Sequence, residues 1–175
     1  MTPTPEEAFE HTFRRLFDDQ FRSLFRYLDR LSGDPALAAD LAQEAFIRLY
    51  RRGSLPRDAK AWLAAVASNL LRDERRSAAR RRRLVDARHH GLGLVSARAA
   101  AEEDLLAAER RRMVRRALDV LPQRDREVLL LRYKGYSYRE IAKALDLAEP
   151  SVGTFLARAK RAFHTAFQEI HSASE

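Results

Sequence analysis

The residues with the most distinctive chemistry lie in the segment GYSYREIAKALDLAEPSVGTFLARAK, residues 135–160. Apolar residues at helical spacing predict two short helices here, joined by a corner at Asp146-Leu147-Ala148. The outward side chains of the second helix are polar or charged: Glu149, Ser151, Thr154 and Arg158. Such groups read base edges and hold phosphates when a helix enters the major groove of DNA. The pattern favours a helix-turn-helix, although an ordinary helical hairpin also satisfies the apolar spacing.

A second set of candidate residues lies in the N-terminal half of the chain. Asn69, Arg72 and Arg76 stand at i, i+3 and i+7, so they share one face of a predicted helix, opposite its apolar face. An asparagine amide can pair with an exposed base edge, and arginines hold phosphates. Trp62, at the start of the same helix, fits a core anchor by its own pattern and can alternatively support a wedge between separated strands.

No pattern of catalytic or metal-binding residues accompanies these sets. Cysteine is absent, which excludes a disulfide framework, a thiolate zinc site and a cysteine nucleophile. His89 and His90 are adjacent but lack the spaced partners of a metal site. The sequence shows no Ser-His-Asp set, no pair of catalytic carboxylates and no glycine-rich phosphate loop. We therefore predict that the protein is not an enzyme and uses no cofactor and no metal.

The charge of the chain is consistent with polyanion binding but does not require it. The net charge is +8, from 33 Lys+Arg and 25 Asp+Glu among 175 residues. Two arginine clusters stand out: Arg72, Arg75, Arg76, Arg80, Arg81, Arg82 and Arg83 in the first, and Arg110, Arg111, Arg112, Arg115 and Arg116 in the second. They indicate either a nucleic acid contacted at two places or solvated helix faces. The apolar runs are far shorter than a membrane span, so we expect no membrane insertion.

Three helices are predicted to position the N-terminal set. Apolar stripes define them: Phe13, Phe17, Phe21, Leu24, Leu28 and Leu31; then Leu37, Leu41, Ala45, Phe46 and Leu49; then Trp62, Leu63, Val66, Ala67, Leu70 and Leu71. Gly33-Asp34-Pro35 separates the first two helices, and we expect Pro56 to open the third. The three stripes predict a helical bundle with its own core.

Four further helices are predicted after residues 87–101, whose composition is that of a flexible linker. The first runs from about Glu102 to Leu121 and the second from Gln123 to Tyr133. Ser137 and Glu140 form a capping box before the third. The corner then leads into the fourth, whose inner residues are Val152, Leu156, Ala159 and Phe163. The predicted fold is all-α, with two small helical domains joined by a linker and a helix-turn-helix in the second.

The segments resemble the extracytoplasmic-function (ECF) sigma factors of bacterial RNA polymerase. Residues 121–147, LPQRDREVLLLRYKGYSYREIAKALDL, are similar to the family's Leu-Pro, Glu-Val-Leu-Leu-Leu-Arg and Ser-Tyr-x-Glu-Ile-Ala run. DLAQEAFIRLY, residues 40–50, resembles its Asp-Leu-x-Gln-Glu-x-Phe segment. KAWLAAVASNLLRDERRSAARRRR, residues 60–83, resembles the helix that opens the −10 element. The matches have the order and spacing of the family and cover most of the chain.

The resemblance implies a division of roles along the chain. Residues 1–86 would form sigma domain 2, residues 87–101 the linker and residues 102–175 sigma domain 4. Core polymerase would be bound by Asp40, Gln43, Glu44, Ile47 and Arg48. The −10 element would be bound by Trp62, Asn69, Arg72, Arg75 and Arg76. The −35 element would be bound by Arg139, Glu149, Ser151, Thr154, Phe155, Arg158, Lys160 and Arg161.

The resemblance also implies the partners of the protein. These are core RNA polymerase (the clamp helices of the largest subunit and the flap of the second), promoter DNA and a separate anti-sigma factor, at the bacterial nucleoid in the cytoplasm. The chief alternative is a helix-turn-helix regulator that binds duplex DNA without polymerase. A nucleic-acid-processing enzyme is a more distant alternative, since no acid/base or metal set is clustered in the sequence.

The chain departs from the family at the start of the last helix and in one loop. Gly153 and Phe155 stand where many members carry basic residues, and Pro150 and Ser151 where Gly-Thr is common. A glycine in a helix costs about 1 kcal/mol relative to alanine, so Gly153 indicates either a close backbone approach or a tolerated site. Phe155 can extend the core or contact a thymine methyl. The loop at residues 51–60, which holds a flipped −10 base in the family, is short.

Overall fold

The chain folds into two compact units, residues 1–94 and 95–175. The computed structural model describes residues 4–86 and 105–173, and the regular secondary structure in these ranges is entirely helical. The predicted all-α fold is therefore confirmed. The predicted linker at residues 87–101, with His89 and His90, lies outside the described residues. Among the helices described, none is long and apolar enough to cross a membrane.

In the first unit the described elements are α1 (Pro5–Ser32), α2 (Pro35–Arg51) and α3 (Ala59–Asp86). Thr4 and Glu7 close a capping box at the start of α1. Hydrogen bonds from the Thr4 backbone N–H and hydroxyl to the Glu7 carboxylate lower the pKa of Glu7. Gly33 ends α1 in the left-handed conformation, with φ of 74°. The Asp34 side chain then accepts from the first N–H groups of α2, so two residues suffice to turn the chain.

The start of α3 corrects one prediction. Pro56 lies before the helix, which begins at Ala59. The Asp58 carboxylate accepts a hydrogen bond of 2.9 Å from the Ala61 N–H, and the Trp62 N–H donates to the Asp58 carbonyl at 3.0 Å. The Asp58 side chain thus satisfies the Ala61 N–H, one of the first-turn groups that have no backbone partner within the helix, and a proline cannot do this.

The core of the first unit lies where the three helices meet. Leu24, Leu28 and Leu31 of α1 are buried, but Phe17 is 37% exposed. On α3 the most buried residues include Ala61, Leu63, Ala64, Ala67, Ser68 and Leu71, whereas Trp62, Val66 and Leu70 are half-buried. The buried face of α3 is therefore rotated from the predicted one. The Ser68 hydroxyl is satisfied by a 2.9 Å hydrogen bond with the Tyr27 hydroxyl of α1.

In the second unit the described elements are α4 (Leu105–Asp119), α5 (Gln123–Tyr133), α6 (Tyr138–Leu145) and α7 (Glu149–Ser172). The predicted capping box of α6 is confirmed, because Ser137 accepts from the Glu140 N–H and the Glu140 carboxylate accepts from the Ser137 N–H. Asp146 adopts the left-handed conformation, with φ of 53°, and turns the chain from α6 into α7. The buried residues Ile141, Leu145, Val152, Leu156 and Ala159 hold the two helices together.

Candidate protein and nucleic-acid interfaces

The first candidate surface is a face of α2 in the N-terminal unit. Asp40, Gln43, Glu44 and Ile47 stand at i, i+3, i+4 and i+7, so they share one side of the helix. Asp40 and Gln43 are exposed, and Ile47 is 43% exposed. Arg48 donates to Glu44 at 2.8 Å in an exposed ion pair, a type of contact that contributes little to stability. The face therefore combines an exposed acid, an amide, an ion pair and an accessible apolar side chain.

An aromatic groove borders this α2 face and was not predicted. It measures about 400 Å³ and lies between α1 and α2, lined by Phe13, Phe17, Gln43, Phe46, Ile47, Tyr50 and Arg51. The Tyr50 ring lies 5.2 Å from Phe13, edge to face, and Tyr50 is 51% exposed. The sequence does hold a signal: aromatic residues at 9, 13, 17 and 21 in α1 are more than one side of a small bundle can bury.

The second candidate surface is the outward face of α3. Asn69 and Arg76 are exposed and stand two turns apart. The Asn69 side-chain carbonyl accepts a hydrogen bond of 2.9 Å from Arg72. That bond orients the amide and leaves the NH₂ group of Asn69 to donate elsewhere. Trp62, seven residues before Asn69, lies on the same side and is half-buried, so it is not the fully buried core anchor that its pattern suggested.

Arg75 differs from the other arginines of this set. Its guanidinium donates to the backbone carbonyl of Leu31, at the end of α1, and the side chain is half-buried. Arg75 therefore joins α3 to a free carbonyl at the end of α1. Arg76 instead contacts Asp73 only at 3.9 Å, with both side chains exposed. Of the two neighbours, Arg76 is the one whose charge is available to a polyanion.

The third candidate surface is the outward stripe of α7 in the C-terminal unit. Ser151, Thr154, Phe155 and Arg158 follow each other at helical spacing and lie together. Thr154 and Arg158 are exposed, whereas Ser151 and Phe155 are half-buried. The Arg158 guanidinium lies over the Phe155 ring, 4.9 Å from its centroid. This contact places the half-buried Phe155 beside Arg158 at the surface. Phe155 therefore extends the core in part and leaves part of its ring accessible, the part that a contact with a thymine methyl requires.

A buried acid fixes the position of Arg158. Asp125, in the first turn of α5, is fully buried and accepts from Arg158 Nε at 2.7 Å and from Nη2 at 2.5 Å. The hydrogen bonds that Arg158 donates to this carboxylate raise the pKa of Arg158, while the desolvation of the guanidinium acts in the opposite direction. The sequence pattern missed the pair, because the two residues are 33 positions apart and each belongs to a different helix.

The remaining residues predicted to bind the −35 element are dispersed. Arg139 is exposed in the first turn of α6, and Arg161 is exposed one turn after Arg158. Lys160 and Glu149 are exposed too, but Lys160 stands about 200° around α7 from Arg158. The structure therefore groups Arg161 with the outward stripe and leaves Lys160 on another side of the helix.

Gly153 is not required by packing within the chain. A Cβ atom at this position would meet Tyr138 Cε2 at 3.7 Å, which is ordinary van der Waals contact. Gly153 is also not among the glycines with positive φ, which are Gly33, Gly53 and Gly135 in the described residues. Neither packing nor backbone conformation within the chain explains why this position is a glycine.

The two units match two different regions of one protein family. The model for "Sigma-70 region 2" matches residues 16–81, and the model for "Sigma-70, region 4" matches residues 111–163. The ECF RNA polymerase sigma factor SigL of Mycobacterium tuberculosis is 35% identical over 162 residues, which cover 90% of this chain and 89% of SigL. A probable RNA polymerase sigma factor of Xanthomonas campestris, RfaY, is 30% identical over 135 residues, 74% of this chain and 34% of RfaY.

Solved structures share the fold. The sigma factor RpoE of Bartonella quintana, in complex with the anti-sigma factor NepR, superposes with a TM-score of 0.71 at 19% identity, covering 90% of this chain and 97% of RpoE. CnrH, in complex with the cytosolic domain of CnrY, superposes with a TM-score of 0.66 at 19% identity, covering 91% of this chain and 90% of CnrH.

Proposed function

The chain belongs to the ECF sigma factors of bacterial RNA polymerase, and from this premise we propose how its surfaces divide the work of starting transcription. As a sigma factor it directs RNA polymerase to promoters and acts in transcription initiation, in a family of initiation factors rather than catalysts. The finer assignment concerns which residues carry each step. We assign residues 1–86 to polymerase binding and the −10 element, and residues 102–175 to the −35 element.

Core polymerase is bound, in this proposal, by the α2 face of Asp40, Gln43, Glu44, Ile47 and Arg48. The observation that carries the assignment is the combination of an exposed acid, an amide and an accessible Ile47 next to the aromatic groove. Acidic and amide groups suit a basic helical partner such as the clamp helices, and apolar side chains supply the buried centre that a stable interface needs. The flap of the second subunit is a further polymerase contact in this proposal.

A double charge reversal tests this assignment. Asp40→Arg with Glu44→Arg should weaken binding to core polymerase by about tenfold or more, because the repulsion acts across a desolvated interface. Stability should change by less than about 0.5 kcal/mol per site, since both are surface positions. Binding is measured by titration of labelled protein with core polymerase, and folding by circular dichroism.

The matched control is Asp19→Arg. Asp19 is exposed on α1 and stands about 200° around that helix from the groove residue Phe17. This variant should bind core polymerase as the wild type does. If the folded double variant binds with unchanged affinity, the α2 face is not the polymerase contact.

Promoter DNA is contacted at two places in this proposal. The outward face of α3, with Asn69, Arg72 and Arg76, acts on the −10 element, and the stripe of Ser151, Thr154, Phe155 and Arg158 enters the −35 duplex. We also propose that a separate anti-sigma factor controls the protein, for which the exposed aromatic groove offers an apolar docking surface. The site of action is the nucleoid in the cytoplasm, where polymerase and promoter DNA are found.

A further inference from the structure

A buried acid of α5 contacts the outward stripe of α7 from the inner side of the helix. Asp125 is fully buried, yet its two carboxylate oxygens hold Nε and Nη2 of Arg158, whose own side chain is 53% exposed. The Arg158 guanidinium also lies over the Phe155 ring at 4.9 Å. The guanidinium is therefore held along one edge by Asp125 and on one face by Phe155.

This arrangement leaves part of the guanidinium able to bind DNA. A guanidinium carries five N–H groups in a rigid fork, and the side-on pair with Asp125 uses one on Nε and one on Nη2. The other three, on Nη1 and Nη2, can still donate. A mobile arginine on a long side chain can reach many acceptors, whereas one held in place offers its donors in one direction. Base discrimination depends on such direction, because two base pairs differ in where their acceptors lie.

We infer that Asp125 is a positioning residue for promoter recognition: from α5, it fixes Arg158 against Phe155 so that α7 discriminates between −35 bases. The inference rests on the proposed role of α7 in −35 recognition. A buried carboxylate is costly to desolvate, and a buried ion pair is no more stabilising than well-packed apolar residues. Stability therefore does not explain why position 125 is an acid. The need to hold Arg158 in one orientation does explain it.

The test compares base preference rather than affinity alone. Full-length protein is assembled with core polymerase, and binding is measured to a promoter fragment and to variants with each −35 base pair substituted singly. Asp125→Asn keeps the volume and removes the charge. We expect discrimination at one or two adjacent base pairs to fall about fivefold or more, within the range of a single base contact. Discrimination at the other pairs should be unchanged.

Glu127→Gln is the matched control. Glu127 is 1% exposed and lies two residues after Asp125 on α5. It accepts from the Gln123 amide at 2.8 Å and has Arg124 Nη1 at 3.7 Å, both on its own helix. It should lower thermal stability without altering base preference. A purely structural pair would make Asp125→Asn behave in the same way, with weaker binding to every fragment and an unchanged preference, and that result would overturn the inference.

A double replacement keeps the inference testable if Asp125→Asn does not fold. Asp125→Leu with Arg158→Met substitutes apolar groups for both members, a change that buried ion pairs often tolerate. If Asp125 acts through Arg158, this double variant has the same base preference as Arg158→Met alone; an additional change in preference overturns the inference.

Two outcomes separate this inference from the proposed function. If wild-type holoenzyme shows no −35 preference, the proposed role of α7 is wrong. If the wild type shows a preference and Asp125→Asn keeps it, only the inference about Asp125 is wrong.

Discussion

At the scale of single residues, the outward face of α3 places different chemistry at neighbouring positions. The carbonyl of Asn69 is occupied by Arg72 at 2.9 Å, so its free group is the NH₂ donor. A donor with a fixed direction can recognise an acceptor on an unpaired base. Arg76 is exposed and its contact with Asp73 is a long one of 3.9 Å, which suits a phosphate contact. Asn69 should therefore affect sequence choice and Arg76 overall attraction to DNA.

Two alanine substitutions separate these roles. Asn69→Ala should impair strand opening at the preferred −10 sequence while leaving recruitment through the −35 element intact. Arg76→Ala should reduce opening on every promoter and lower the slope of log K against log salt by about 0.7 to 0.9, as one lost phosphate contact does. Permanganate footprinting reports the open bubble, and titration at several salt concentrations gives the slope.

Pre-melted templates and one control variant complete this experiment. Both defects should be largely rescued on pre-melted DNA, because strand separation is then no longer required. Arg22→Ala, at an exposed arginine of α1, should leave opening and the salt slope unchanged. An Asn69→Ala protein with normal bubbles at the preferred sequence would return α3 to a structural role.

Residue spacing predicted which side chains share a face but not what holds each of them. The stripes of Asn69 with Arg76 and of Thr154 with Arg158 follow from the helical period, and the structure places both outward. The buried partner of Arg158 lies on another helix, 33 residues earlier, and the carbonyl held by Arg75 lies 44 residues earlier. Such contacts depend on how the helices pack against one another. The spacing of apolar residues within one helix gives no information about that packing.

At the scale of elements, local signals predicted helix ends well where a cap or a glycine sets them. Ser137 with Glu140, and Gly33 before Asp34, act through bonds between residues close in sequence, so the sequence contains their full cause. The start of α3 was predicted less well, since Pro56 and Asp58 both fit a helix start and only the backbone decides between them. The rotation of α3 also escaped prediction, because its many alanines and Ser68 give a weak contrast between buried and exposed faces.

At Gly153 of α7, alanine should make the protein more stable than the glycine that is present, and this expectation can be tested directly. The space for a Cβ atom is present and φ is not positive, so Gly153→Ala should raise the free energy of unfolding by about 0.5 to 1 kcal/mol. Binding to the −35 duplex should be unchanged, because the new methyl group would contact Tyr138. Urea unfolding and duplex titration measure the two quantities.

The control for this substitution is another glycine of the same unit. Gly135 has φ of 84°, so Gly135→Ala should destabilise the unit by about 1 kcal/mol or more. A loss of stability in Gly153→Ala would contradict the packing argument. A gain in stability with weaker duplex binding would instead mean that the α7 backbone approaches DNA closely at this position.

At the scale of the whole molecule, the chain consists of two units that each hold their own buried core. The first buries Leu28, Leu49 and Leu71 among α1, α2 and α3, and the second buries Val128, Ile141 and Val152 among α5, α6 and α7. The first unit carries the candidate surfaces of α2 and α3 and the second unit carries that of α7, so the connection between the units determines how the surfaces act together. A covalent link makes the second of two binding events intramolecular and raises its effective concentration.

Cutting that link should separate folding from function. A specific protease site inserted within residues 87–101 should, once cleaved, leave helical content and the unfolding of each unit unchanged, because each core lies within one unit. Promoter-dependent run-off transcription at limiting protein concentration should fall by about tenfold or more, since linked modules exceed separate ones by about 10²- to 10⁴-fold in avidity. The inserted but uncut protein serves as the control and should transcribe normally. If the cleaved protein transcribes as well as the uncut one, the two units are held on polymerase independently and the tether contributes nothing to promoter choice.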